Sequence, residues 1–145
     1  MNGSATQRLS DFTMRKIEHI GIAVKDLEVS NLLFEKLFGA PSYKQEEVAS
    51  EGVKTSFFMN GPNKIELLEA TNPESPIAKF IEKKGQGIHH IAFAVDDATK
   101  ALQIAEEKGV TLVDKVSRKG AEGLNIGFLH PKSTHGVLTE LCSKK

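Results

Sequence analysis

The sequence predicts an α+β fold assembled from two pseudo-symmetric βαβββ modules, and three observations predict it. IEHIGIAVKDL from Ile17 is echoed by IHHIAFAVDDA from Ile88, each a histidine-bearing apolar strand running into an acidic helix start. Residues 64–69 (KIELLE) and 137–142 (VLTELC) close the two copies with apolar strands that carry an internal glutamate. The spacing repeats as well. His19 and His90, Val24 and Val95, and Phe57 and Phe128 are each 71 residues apart, whereas Glu66 and Glu140 are 74 apart, so one hairpin of the second copy is about three residues longer.

Each element has its own signal. In residues 16–24 alternate positions put His19, Gly21 and Ala23 on one face and Ile20, Ile22 and Val24 on the other. The second copy divides the same way, His90, Ala92 and Ala94 against Ile91, Phe93 and Val95. Each histidine thus shares its face with the smallest side chains, which leaves room for a ligand, while the bulky residues point towards a helix. Asp26 caps the first helix, with Leu33, Leu37 and the Phe34/Phe38 pair as its apolar stripe and Gly39 as its stop. Asp97 caps the equivalent helix, which carries Ala98, Ala101, Leu102 and Ala105 and ends at Gly109. Ser75, Pro76 and Gly85 mark a short third helix. Strands are expected at 43–48, 53–59, 65–69, 111–116, 125–129 and 137–142, with hairpin turns at 60–63 and 130–133. The expected organisation is a single domain over 14–145, with module one at 14–70, a linker helix at 71–86 and module two at 87–145. A sheet with helix on one face must bury the other, and the partner module is at hand.

Composition narrows the function. The 145 residues are 39% hydrophobic and 26% charged, which is ordinary for a globular protein. Nineteen basic residues balance nineteen acidic ones, so there is no nucleic-acid footprint and no polybasic membrane patch. One cysteine excludes an internal disulfide and fits a reducing compartment. No apolar run approaches the roughly 20 residues that span a bilayer. Residues 1–13 are polar and read as a disordered leader or an expression remnant, a poor mitochondrial presequence with Arg8 as its one basic residue. The cytoplasm is the default location.

Glu66 and Glu140 interrupt apolar strands, where a carboxylate is costly without a partner. If the modules pair about a pseudo-twofold axis, His19, Glu66, His90 and Glu140 offer two nitrogens and two oxygens to one divalent cation, with positions left for water or substrate. Co, Mn, Ni, Zn or Fe all suit such a set, and ligand type does not choose among them. His89 points away from His90, His130 and His135 fall in the hairpin, and Cys142 shares Glu140's face without a base motif and reads as packing.

These residues carry a family resemblance. The doubled plan with HIGIAV, ELLE, GIHHIAF and FLHPKST resembles the vicinal oxygen chelate (glyoxalase/bleomycin-resistance/dioxygenase) superfamily over about residues 14–144. SPIAKFIEKKG at 75–85 and FLHPKST at 128–134 look most like its methylmalonyl-CoA epimerase family. The resemblance implies one curved, half-barrel mixed sheet around a metal-binding cleft, metal ligands at His19, Glu66, His90 and Glu140, and a homodimer acting on an acyl-CoA. The implied reaction is epimerisation of methylmalonyl-CoA at its α-carbon through proton abstraction and a metal-stabilised enolate. Glu140 is the expected base, and Glu66 its counterpart for the opposite face. Some relatives carry a proton-transfer glutamate where this chain has Thr55, so that scheme does not carry over; Glu47 or a water is the alternative to either Glu140 or Glu66. Lys132 and Ser133, with Arg118 and Lys119, are candidate coenzyme A contacts; there is no dinucleotide-type glycine motif. Glyoxalase I (lactoylglutathione lyase) and a bleomycin-resistance-type binding protein are the rival readings, with an extradiol dioxygenase behind them.

Overall fold

A computed structural model describes residues 13–145; residues 1–12, nearly all of the expected leader, lie outside the described residues. The elements in chain order are β1 (Lys16–Ala23), α1 (Leu27–Phe38), β2 (Lys44–Val48), β3 (Val53–Asn60), β4 (Asn63–Ala70), α2 (Pro76–Lys84), β5 (Gly87–Ala94), α3 (Ala98–Glu107), β6 (Arg118–Lys119), β7 (Asn125–Leu129) and β8 (Thr139–Ser143). The protein is therefore α+β, with the βαβββ sequence repeated and α2 between the repeats. The described residues form two compact units: His19–His89, and residues 13–18 together with His90–Lys145.

In the first unit the strand order is β2-β3-β4-β1, with β4 parallel to β1 and the other neighbours antiparallel. Asp26 caps α1 by accepting from Val29 N at 3.1 Å, and Gly39 closes it at φ 76°, a left-handed conformation that glycine adopts without strain. One sheet face packs Ile22, Val24, Phe58, Ile65 and Leu67 against Leu27, Phe34 and Phe38 of α1. Leu33 and Leu37, expected in that stripe, are instead 52% and 66% exposed. The turn of about 100° per residue sends 27, 34 and 38 to the sheet and rotates 33 and 37 away from it. The other face packs Ala23 and Leu68, with Val53 and Ala70, against Ile77, Phe80 and Ile81 of α2.

In the second unit the order is β5-β8-β7-β6, with β8 parallel to β5. Ala98, Ala101 and Ala105 of α3 are completely buried, so the helix backbone lies close on the sheet with Leu102, Leu129 and Leu141 filling the gaps. Arg15 joins this unit, its N–H donating to Ala94 O at 2.8 Å and its guanidinium meeting Asp96 at 2.9 Å. That contact raises the guanidinium pKa and lowers the carboxyl pKa, chiefly through the shared hydrogen bond.

One expected strand is absent. Residues 111–116 form no ladder beyond a single bridge between Leu112 and Leu129. Val113 and Asp114 both donate to Phe128 O, at 2.9 and 3.3 Å, and the Asp114 carboxylate accepts from Phe128 N at 2.9 Å. A side chain thus takes the ladder's place, Val113 and Val116 stay exposed, and pairing resumes only at β6.

Each carboxylate-bearing strand is tied to a helix start. Glu69 of β4 accepts from Leu27 N at 2.6 Å, and Ser143 of β8 accepts from Ala98 N at 2.9 Å. Both acceptors lie three residues after the internal glutamate, and both helix residues lie eight after the histidine. Helix capping therefore also sets where Glu66 and Glu140 stand along their strands.

Candidate metal centre

In each unit the register brings an imidazole to a carboxylate. In the first unit Gly21, Glu66 and Phe57 lie side by side, with His19 two residues before Gly21. His19 Nδ1 is 3.2 Å from Glu66 Oε2, and both residues are 4% exposed. In the second unit the row is Ala92, Glu140 and Phe128, with His90 two residues before Ala92. His90 Nε2 is 3.4 Å from Glu140 Oε1, the residues being 6% and 4% exposed. A carboxylate buried to this degree is expensive unless a cation or several hydrogen bonds compensate it. An imidazole nitrogen beside a carboxylate oxygen is a donor pair for a borderline dication, so each pair fits half of a metal site.

The surroundings are largely apolar and are also tied to the donors. Phe128 stacks edge-on to His90, with ring centroids 5.6 Å apart. Cys142 is 1% exposed among Ala92 and Ile126, as its packing role requires, and its thiol also donates to Glu140 Oε1 at 3.5 Å. A cation lies over each phenyl ring: Lys44 Nζ is 5.7 Å from the Phe57 centroid and Arg118 Cζ 5.7 Å from that of Phe128. Each cation is ion-paired, Lys44 with Glu46 at 3.2 Å and Arg118 with Asp114 at 2.5 Å. The small residues leave less room than their size suggests, because Leu68 and Ile77 cover Ala23 while Ile126 and Cys142 cover Ala92.

The family model for the Glyoxalase/Bleomycin resistance protein/Dioxygenase superfamily matches residues 18–128. The chain belongs to this superfamily. Among its relatives, the uncharacterised Bacillus subtilis protein YqjC is 41% identical over 91% of this chain and 94% of its own. The ethylmalonyl-CoA/methylmalonyl-CoA epimerase of Cereibacter sphaeroides is 39% identical over 87% of this chain and 96% of its own. A solved structure of Streptomyces coelicolor methylmalonyl-CoA epimerase, in complex with 2-nitronate-propionyl-CoA, superposes with a TM-score of 0.85 at 34% identity, over 90% of this chain and 98% of that one. The superfamily fold runs through nearly the whole chain.

The remaining residues singled out from the sequence are less central. His89 turns to Phe80 of α2, ring centroids 5.1 Å apart, while His130 Nδ1 accepts from Lys132 N at 3.1 Å and His135 is exposed. Lys132 is exposed, and Ser133 Oγ accepts from Thr111 N at 2.9 Å. Glu47 does not reach the donor face, because its register with Lys54 puts it on the opposite side of the sheet from Glu66. Its neighbour Glu46, opposite Thr55, does share that face. Thr55 Oγ1 is buried there without a hydrogen-bond partner. Lys64 was missed, although it stands two residues before Glu66 and the alternation that groups Glu66 with Leu68 points to it equally.

Proposed function

We propose that this protein is a metal-dependent methylmalonyl-CoA epimerase that interconverts the 2R and 2S esters, with His19, Glu66, His90 and Glu140 as the ligands of one divalent cation. The observation that carries the reading is the buried imidazole–carboxylate pair repeated in the same register in both units. The names of the Cereibacter and Streptomyces relatives support the substrate class. Co, Mn, Ni and Zn all suit the donor set.

A divalent cation held by these donors supplies Lewis-acid polarisation of a carbonyl oxygen and a charge partner for a carboxylate. The chain supplies the proton chemistry. Glu140 takes the α-proton of the thioester; the C–H bond breaks and its electron pair moves into the carbonyl, giving the enolate. Glu66, whose ligation loosens as substrate enters and which is then the protonated partner, returns a proton to the opposite face, and the reverse reaction exchanges the two roles. The contacts of His90 and the Cys142 thiol with Glu140 Oε1 hold the base in place. Phe57 and Phe128, beside the two carboxylates, keep bulk water from the enolate.

Lys132 and Ser133 are assigned as coenzyme A contacts at the 310 turn after β7, residues 14–145 as a single domain, and the cytoplasm as the location. A homodimer belongs to the same reading, supported by the exposed apolar row Val29, Leu32, Leu33 and Leu37 on α1. The test is interconversion of the two methylmalonyl-CoA epimers with and without a chelator, with α-proton exchange followed in deuterated water. Wild type should epimerise and lose activity to the chelator, and Glu140→Ala should lose α-proton exchange. Exchange at the wild-type rate in Glu140→Ala ends the base assignment.

A further inference from the structure

In the second unit one carboxylate grips Phe128 twice. Asp114 Oδ2 accepts from the Phe128 N–H at 2.9 Å, and Asp114 Oδ1 meets Arg118 Nη1 at 2.5 Å. The guanidinium held in this way lies over the Phe128 ring, its Cζ 5.7 Å from the centroid. Backbone and ring of one residue are therefore tied to the same side chain. The ring in turn meets His90 edge-on, at 90° and 5.6 Å between centroids, and His90 Nε2 is 3.4 Å from Glu140 Oε1. The carrying segment is anchored on both sides of Asp114. Val113 N donates to Phe128 O at 2.9 Å, Ser117 N donates to Thr99 Oγ1 of α3 at 3.3 Å, and the hydroxyls of Ser117 and Thr99 are 2.6 Å apart.

This arrangement displaces a strand, because a ladder through residues 111–116 would need the Phe128 N–H that Asp114 takes. Asp114 and Arg118 are both partly buried, so water screens their pair less than it screens an open surface pair. A cation is drawn to the negative face of a phenyl ring and so fixes the plane of that ring, which decides where its edge meets the imidazole. The first unit repeats the motif: Lys44 lies over Phe57 and is paired with Glu46. Lys44 and Arg118 are 74 residues apart, the offset that also relates Glu66 to Glu140. We propose that Asp114 and Arg118 are positioning residues for the second unit's half of the metal site, setting through Phe128 the orientation in which His90 offers its nitrogen to a cation. The inference rests on the metal reading for its consequence and on the protein alone for its geometry.

Arg118→Met keeps the aliphatic stem and removes the cation, Asp114→Asn keeps an acceptor for Phe128 N and removes the charge, and Arg118→Lys returns a cation to the ring. Two quantities are measured. The His90 imidazole resonances of the metal-free protein are followed by NMR, assigned by their loss in His90→Gln, and the cobalt dissociation constant is obtained by competition with a chelator. Groups that orient a metal-binding imidazole are worth about 10–100-fold in metal affinity, and this clamp acts one contact further out. Arg118→Met and Asp114→Asn should each shift the His90 resonances and weaken cobalt binding by about five- to tenfold. The double variant should be no weaker than either single one, since both act through one ring. Arg118→Lys should restore most of both signals. His90 resonances or cobalt affinity at the wild-type value in Arg118→Met overturn the inference, and a rise in KM alone would make Arg118 a substrate contact instead. Wild type that takes up no cobalt refutes the metal reading, and the resonances alone then decide the clamp. Wild type that binds cobalt but does not epimerise the ester refutes the epimerase reading and leaves the clamp standing.

Discussion

Gly127→Ala measures how tightly α3 is set on the strands of the second unit. Gly127 lies on β7 under Leu102, and a Cβ built there would sit 2.5 Å from Leu102 Cδ1, 3.3 Å from Cδ2 and 3.4 Å from Cγ. Leu102 is completely buried among Ala98, Ala101, Ala105 and Leu141, so it has little space to swing into. The glycine's φ is not positive, so alanine is free of backbone strain and gains about 0.4–1 kcal/mol by restricting the unfolded chain. Overpacking a close-fitted core costs about 1–3 kcal/mol. The net expectation is a loss of about 1–2 kcal/mol, or about 3–8 °C in Tm for a chain of this size. Thermal unfolding of metal-free protein is the assay, with Leu102→Val and the double variant completing a cycle. The cavity made by valine should absorb the new methyl, so the two penalties should fall short of additivity by about 1 kcal/mol. Gly127→Ala as stable as wild type, or an additive cycle, would refute the packing argument. Phe128 is the next residue and stacks on His90, so a displaced β7 should also weaken metal binding.

The metal reading predicts that cobalt or manganese at about 100 times its dissociation constant stabilises the protein by about 2.7 kcal/mol. Differential scanning calorimetry with added metal and then with chelator reads this directly; a Tm indifferent to both would count against the site. Cys142→Ala removes a thiol contact from Glu140 and should lower kcat more than it raises KM. The intact thiol, 1% exposed, should react with a maleimide only as fast as the protein opens. Ser143→Ala removes the acceptor for Ala98 N and should cost about 0.5–2 kcal/mol by urea unfolding, whereas Ser143→Thr should retain most of it.

The sequence revealed most where one local rule governed a segment. Period-two alternation identified the faces of β1, β4, β5 and β8, and with them the buried positions of His19, Glu66, His90 and Glu140, because a strand with a buried face tolerates no slip of register. Cap residues placed α1, α2 and α3 almost to the residue. Prediction failed where a side chain replaced backbone pairing. Residues 111–116 have strand composition, but Asp114 takes the Phe128 N–H that a continuous strand would have to share. It failed also where two apolar stripes ran along one helix, since Leu33 and Leu37 satisfy the helical period as well as Phe34 and Phe38 do, and only packing separates them. Lys64 and Glu46 lie on the face that the alternation assigns to Glu66, and neither is singled out by the sequence analysis.

The repeat also bears on specificity. A cation is indifferent to which module supplies a given donor, so a duplicated chain can keep identical imidazole–carboxylate pairs. An acyl-CoA has no twofold axis, with a small acid at one end and a large polyanion at the other, so residues that contact it have no reason to repeat. Two of the departures from the repeat bear on this. His19 and His90, Glu66 and Glu140, and Phe57 and Phe128 are conserved between the halves, while Lys64 faces a counterpart of leucine and Thr55 one of isoleucine. Both lie on the donor face of the first unit, beside Phe57 and Glu66, while others, such as Ile65 against Thr139, lie on the opposite face. Exchanging the members of one pair therefore discriminates between the roles of scaffold and substrate contact. Leu138→Lys should leave metal affinity near the wild-type value, since the donors are untouched, and should change KM. A change in metal affinity with KM unaltered would show that position 138 serves the donors, and that the broken symmetry says nothing about the substrate.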